Sequence, residues 1–376
     1  MIKLPRNKVF NHEFILTHQD SVRNYVARKK LALNFFNHSF SAEEICSTEI
    51  INCISFDPFS RPSLAPSNES FLNDYQELSN FLLHGNNYLN VIKKGFSVKS
   101  GAGYRNILKN ERAYVINKFS HNQILRNIGI NDPDIIASEK NYLAFYEVVN
   151  TSFMKNNQSI KAIFNYNEFL TSKKNIRNEI LANIKVTICP YCNRQYIDTY
   201  SHEGNIKSIA QIDHLFPKSI FPLYSLTLLN FVPSCSYCNC VIKKNKLFPW
   251  KSFYTDNTLD EQYFELIYHD AEGFYGKSSG FDLTISANKK EDLDHANFFR
   301  HQEIYKNHKE DITSILKKRL TFTTGYKKSL EEMLSKEITN AEFKFMIFGI
   351  TGEPEDYLTI PLSKLKNDIL KYQRKP

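Results

Sequence analysis

No stretch of this 376-residue chain approaches the roughly 18 consecutive apolar residues that read as a membrane span. The first residues, MIKLPRNKVFNHEF, hold no apolar core of the secretory type. Both absences point to a cytoplasmic protein without a membrane partner. A disulfide framework is missing as well. Of the seven cysteines, four stand in metal-ligand spacing, which suits a reducing compartment. Cys46 and Cys53 read as small buried apolar residues. The short glycine turn Lys99-Ser100-Gly101-Ala102-Gly103-Tyr104 lacks the Gly-Lys-Ser/Thr ending of a phosphate loop, so no nucleotide is assigned to it. No internal repeat is visible.

Hydrophobic residues make up 42% of the chain, enough for buried cores, and the length predicts two or three domains. The formal charge of +8 mildly favours a polyanionic partner. The fold class is α+β, predominantly α-helical. Residues 1–64 form an N-terminal segment in which Val22–Phe36 reads as a basic helix. Residues 65–184 read as a helical domain for a partner or substrate. Its first helix starts at Ser67 or Asn68 and stops at Gly85, and later ones cover Arg105–Phe119, Ser138–Val149, Ser159–Leu170 and Asn175–Ile184. Residues 185–250 form a compact module. Residues 251–376 are mixed, then helical: a strand at Phe281–Ile285, a long basic helix over Leu293–Leu320, and helices at Tyr326–Lys336 and Leu362–Tyr372.

The module carries the chemistry. Cys189-x-x-Cys192 and Cys235-x-x-Cys238 bracket it, and two such turns supply four sulfurs for a tetrahedral Zn²⁺. A closed four-sulfur site leaves no open position, so this zinc is structural. Cys240 reads as packing. The strand-like run ending at Asp213-His214 places adjacent side chains on opposite faces. The Asp213 carboxylate suits Mg²⁺ or Mn²⁺, and the His214 imidazole suits a general base for water. Asn239 opens a predicted helix Asn239–Leu247, where its amide oxygen would complete the cation site. Asn230 would hydrogen-bond the backbone around His214 and hold the ring in line. Lys218, Lys243 and Lys244 stand where they would touch phosphates flanking a cut. Thr199–Lys207 reads as a hairpin turn, with His202 in solvent. The second Asp-His pair, Asp294-His295, reads as a solvated helix start, because no cysteine or asparagine frame surrounds it.

The order C-x-x-C, D-H, N, C-x-x-C-N resembles the HNH endonuclease superfamily, the ββα-metal fold with a four-cysteine zinc knuckle. Asp213-His214-Leu-Phe-Pro217-Lys218-Ser219 together with Pro233-Ser-Cys235-Ser-Tyr-Cys238-Asn239 is most similar to HNH proteins of Septu-type anti-phage systems. The resemblance covers about sixty residues. It implies a metal-dependent hydrolase of DNA phosphodiester bonds. His214 would be the base, Asp213 and Asn239 the cation ligands and Asn230 the central asparagine. It also implies a role in prokaryotic defence beside an ATPase partner. A structure-specific or recombination nuclease, or one that cuts RNA, shares these residues. A zinc-knuckle nucleic-acid-binding or scaffold protein without catalysis would need only the cysteines.

Overall fold

The computed structural model describes all residues except 1, 5–9, 58–63, 98–101, 131, 174, 249–251, 255–261, 289 and 373–376. Residues 58–63, just before the boundary expected at 64, and the start of the Lys99–Tyr104 glycine turn therefore fall outside the described residues. The chain is predominantly helical, 61% helix and 11% strand, with small two-stranded sheets.

The first long helix is α1 (His12–Lys29), capped by the Asn11 side chain on the Phe14 amide at 2.7 Å. Lys30 takes a left-handed conformation and ends it. The helix expected at Val22–Phe36 thus lies earlier, and its last residues enter β1 (Leu33–Phe35), which pairs with β2 (His38–Phe40) just beyond. The next long helix, α2 (Pro66–Ser97), buries Phe71, Tyr75, Leu78, Leu82 and Leu89 at three-, four- and seven-residue intervals. Gly85 does not stop it. The helix runs through, because Gly85 is where α4 (Glu139–Asn156) crosses: a Cβ there would lie 2.8 Å from the Tyr142 hydroxyl. Between them, α3 (Ala102–Phe119) packs on α2. The predicted helix Ser159–Leu170 is two, Gln158–Ile163 and α5 (Tyr166–Ser172), with α5 capped by Asn165. Helix α6 (Ile176–Ile184) leads into the cysteine module.

Three antiparallel pairs follow. Strands β3 (Thr199–His202) and β4 (Asn205–Ser208) form the hairpin, with Glu203 and Gly204 both at positive φ, the two-residue turn that matches strand twist. Strand β5 (Gln211–His214) pairs with β6 (Phe231–Ser234), and a π-helix over Tyr237–Lys243 follows at once. Strand β7 (Gln262–Tyr268) pairs with β8 (Phe281–Ala287). The long helix expected at Leu293–Leu320 is cut by Arg300 in the left-handed region, giving α7 (Lys290–Phe298), α8 (His301–Tyr305) and α9 (Lys309–Thr321). The chain ends with α10 (Thr324–Leu334), α11 (Asn340–Phe348) and α12 (Ser363–Tyr372).

One hydrophobic core joins residues from Leu4 to Phe299. The N-terminal segment, the helical region and the cysteine module therefore share an interior. A second core gathers β7, β8, α8, α9 and α12. Full burial of each large side chain contributes about 2–3 kcal/mol.

Candidate active site and metal centre

The sulfurs of Cys189, Cys192, Cys235 and Cys238 all lie within 4.8 Å of one another, and all four residues are buried. Four zinc–sulfur bonds of about 2.3 Å would put tetrahedral sulfurs roughly 3.8 Å apart, so the group could hold a structural zinc. Without a cation the thiols cannot all ionise. Burial pushes Cys189 up, hydrogen bonding with Cys189 pushes Cys192 and Cys235 down, and the same cluster pushes Cys238 up. Cys240 lies outside this group. It is exposed, with its sulfur 3.0 Å from the Gln211 side-chain oxygen.

The first cysteine turn is a hub. The Asn193 backbone closes on Cys189 at 2.7 Å, and its side chain reaches the Tyr357 carbonyl at 2.8 Å and the Lys364 amide at 3.0 Å. Tyr305 donates to the Cys192 carbonyl at 2.5 Å, and the His301 ring to the Tyr191 carbonyl at 2.8 Å. The Ile2 amide donates to the Pro190 carbonyl at 2.9 Å. The sequence pattern marks none of these partners, which come from segments far apart in the chain.

Strand alternation separates Asp213 from His214. Asp213 shares a face with Gln211 and meets the π-helix. Its Oδ1 lies 3.0 Å from the Lys243 ammonium, and its other oxygen accepts from the Tyr191 hydroxyl. Lys243 also donates to the His214 carbonyl at 2.7 Å and is 0% exposed. It is therefore no surface phosphate contact: its charge is spent inside, on a carboxylate that burial would otherwise leave unpaired. Burial pushes the Asp213 carboxyl up, and burial pushes the Lys243 ammonium down.

The predicted Mg²⁺ ligands part company here. Asn239 is the third residue of the π-helix, which spans Tyr237–Lys243 instead of the predicted Asn239–Leu247, and its amide donates to Gln211 at 2.9 Å. Carboxylate and amide oxygens are the right chemistry for a hard cation. As placed, however, the set does not fit one. Asp213 is 4% exposed, and an ammonium already occupies its charge.

His214 faces the other way. Its ring stands edge-on to Tyr166 at 4.6 Å and to Phe231, its cross-strand partner, at 5.1 Å. The Ser225 carbonyl lies 3.0 Å from Nε2. A carbonyl only accepts, so Nε2 carries the proton and Nδ1 the lone pair. Burial, then the charge of Lys218, lowers the imidazole to about 3, so the ring is neutral at pH 7. Asn230 clamps the loop between β5 and β6. Its oxygen accepts from the Phe216 amide at 2.7 Å, and its nitrogen donates to the Phe216 and Tyr224 carbonyls at 3.1 and 2.8 Å. The Leu215 amide bonds the Asn230 carbonyl at 2.9 Å.

Lys218 is half-buried beside this ring. It lies 4.2 Å over Tyr166 and 3.0 Å from the Asn167 side chain. Lys244 is exposed at the end of the π-helix, where its amide closes a bond of 2.7 Å to the Asn239 carbonyl. His202 is exposed on β3. The second Asp-His pair is not a solvated helix start: His295 is buried against the Phe248 ring at 5.0 Å.

Among the described residues no helix is long and apolar enough to cross a membrane. Comparison with protein-family models, with curated proteins and with solved structures found no match.

Proposed function

We propose that the chain is an HNH-type endonuclease that hydrolyses phosphodiester bonds of DNA, with His214 as the general base. One observation carries this reading: the Asn230 side chain clamps the loop beside His214 through the Phe216 amide and the Phe216 and Tyr224 carbonyls, the role that the motif resemblance gives its central asparagine. The Ser225 carbonyl takes the Nε2 proton, as carbonyls do at buried His18 and His301, and leaves Nδ1 as the acceptor for a proton. Water hydrogen-bonded to Nδ1 would pass a proton to the ring as its oxygen bonds phosphorus, the P–O3′ bond would break, and the leaving 3′-oxygen would take a proton from solvent. Lys218 beside the ring and exposed Lys244 supply positive charge for the phosphate.

The zinc would hold the cysteine turns in place and take no part in the reaction. Mg²⁺ or Mn²⁺ is the catalytic cofactor that the motif resemblance implies. The Asp213 and Asn239 side chains do not fit that cation as they stand, because Lys243 and Gln211 hold them. A role in anti-phage defence beside an ATPase rests on the same resemblance.

Relaxation of supercoiled plasmid in Mg²⁺ or Mn²⁺ tests the reading. Nicking that stops on chelation of the divalent ion supports it. No cleavage of plasmid, branched DNA or tRNA under any of these conditions would instead favour a binding or scaffold protein.

A further inference from the structure

A groove of about 780 Å³ opens between α9, α10, α11 and α12, at the far side of the second core. We infer that this groove binds an unpaired stretch of nucleic acid, at a surface separate from His214.

Its charge is of one sign. Arg319, Lys327, Lys344 and Lys371 line it, and no aspartate or glutamate does so among the described residues, though Lys327 also pairs with Glu331 at 3.5 Å. Its apolar part is aromatic: the rings of Phe274, Phe322, Phe343 and Phe348 share the same walls, each at least partly exposed. The Arg319 guanidinium lies 5.4 Å over the Phe274 ring. Cations beside partly exposed rings are the two things a single strand requires, one for its phosphates and one for its bases. Thr323, Thr324 and Asn340 stand among them and offer donors and acceptors to base edges. A duplex keeps its bases stacked and has no use for the rings.

The wall is unfinished. Helices α10 and α11 contain no fully buried residue. The volume falls within the 300–1,000 Å³ range typical of pockets for small ligands, enough for a few nucleotides. Across α9 a second depression carries Lys277, Lys309, Lys317 and Lys318 with a single acid, Glu310, and extends the positive surface for flanking phosphates.

The groove is also tied to the cysteine module. His308, just before α9, accepts from the Arg194 side chain at 2.9 Å and bonds Asp311 at 2.8 Å. Arg319 lies eleven residues on, about 16 Å along the helix axis. A strand held here is therefore within a few nucleotides of the zinc-held turns.

The test measures binding without cleavage. Full-length His214→Ala protein is titrated into fluorescein-labelled oligo(dT), oligo(U) and a hairpin-free duplex, with fluorescence anisotropy as the readout. The single strands should bind more tightly than the duplex. Phe343→Ala and Phe322→Ala should each weaken single-strand binding about tenfold. Arg319→Glu with Lys344→Glu should weaken it strongly and lower the salt dependence of the binding that remains. Lys161→Glu, at an exposed helix position outside both depressions, should change neither. Circular dichroism confirms that each variant is folded, and for one that is not, Phe343→Leu removes the stacking ring while keeping an apolar side chain. The dT and U arms tell DNA from RNA.

Equal affinity for duplex and single strands would overturn the inference. So would Phe343 variants that bind as the parent does, or self-association through this face. Failure of plasmid cleavage with these binding results intact would count against the nuclease reading alone.

Discussion

Asp213 and His214 are adjacent in sequence, yet the pleat sends them to different environments. One ends in an ion pair that fastens strand to helix, the other in an aromatic niche with a fixed tautomer. Lys243 shows the cost of misplacing a charge. Lys243→Ala would leave Asp213 buried and unpaired, and breaking such a pair destabilises by about 3–5 kcal/mol. Urea unfolding should register this as a large drop in midpoint. A variant within 1 kcal/mol of the parent would mean that the carboxylate finds water or another partner. The lowered imidazole has a kinetic consequence. Burial holds His214 neutral down to about pH 3, so cleavage should show no acid limb near 6.5, the ordinary histidine value. A limb at 6.5 that vanishes in His214→Gln would contradict this placement.

The elements show which parts of the structure were readable. The Cys-x-x-Cys turns, the hairpin at 199–208 and the last helix follow local rules of spacing, turn residues and periodicity. The Gly85 position does not. A glycine inside an apolar helical pattern reads as a stop, but here it is the contact point of two helices. Gly85→Ala gains up to about 1 kcal/mol of helix propensity but must displace the Tyr142 hydroxyl and press on the Tyr146 ring. A net loss of about 1–2 kcal/mol in chemical denaturation is expected, and a stabilised variant would show that α4 gives way easily. The π-helix is a second unreadable feature. Its wider turn decides which lysine faces Asp213, and no pattern in Tyr237–Lys243 announces it. The cysteine turns behave differently again. Cys189→Ser should give insoluble protein, or protein that melts early and loses zinc, because metal binding supplies folding energy in such modules. Soluble Cys189→Ser with parental melting would remove the structural role.

Across the molecule, helical periodicity along the chain foretold a mainly helical protein but not how the segments share an interior. Boundaries near 64 and 184 follow from the helical pattern and the cysteine frame, yet Thr227 bonds the Ile54 carbonyl at 2.6 Å and the His18 ring bonds the Leu226 carbonyl at 2.8 Å, deep in one core. Such pairings, some two hundred residues apart, leave no trace in local sequence. They also set the pH response. Burial lowers His18 to about 4, so its neutral form stabilises the fold above the unfolded value near 6.5, and this contribution is lost as pH falls toward 4. By pH 5 the loss is about 2 kcal/mol. Urea midpoints at pH 7 and 5 should differ accordingly, and by less in His18→Gln. A parent equally stable at both would refute the burial argument.

The most direct measurement compares plasmid cleavage by the parent and by His214→Ala at matched zinc content and matched melting temperature. The variant should lose on the order of 10²–10⁴ in rate while keeping its metal and fold. Equal rates would remove His214 from the chemistry, and with it the proposed nuclease reading.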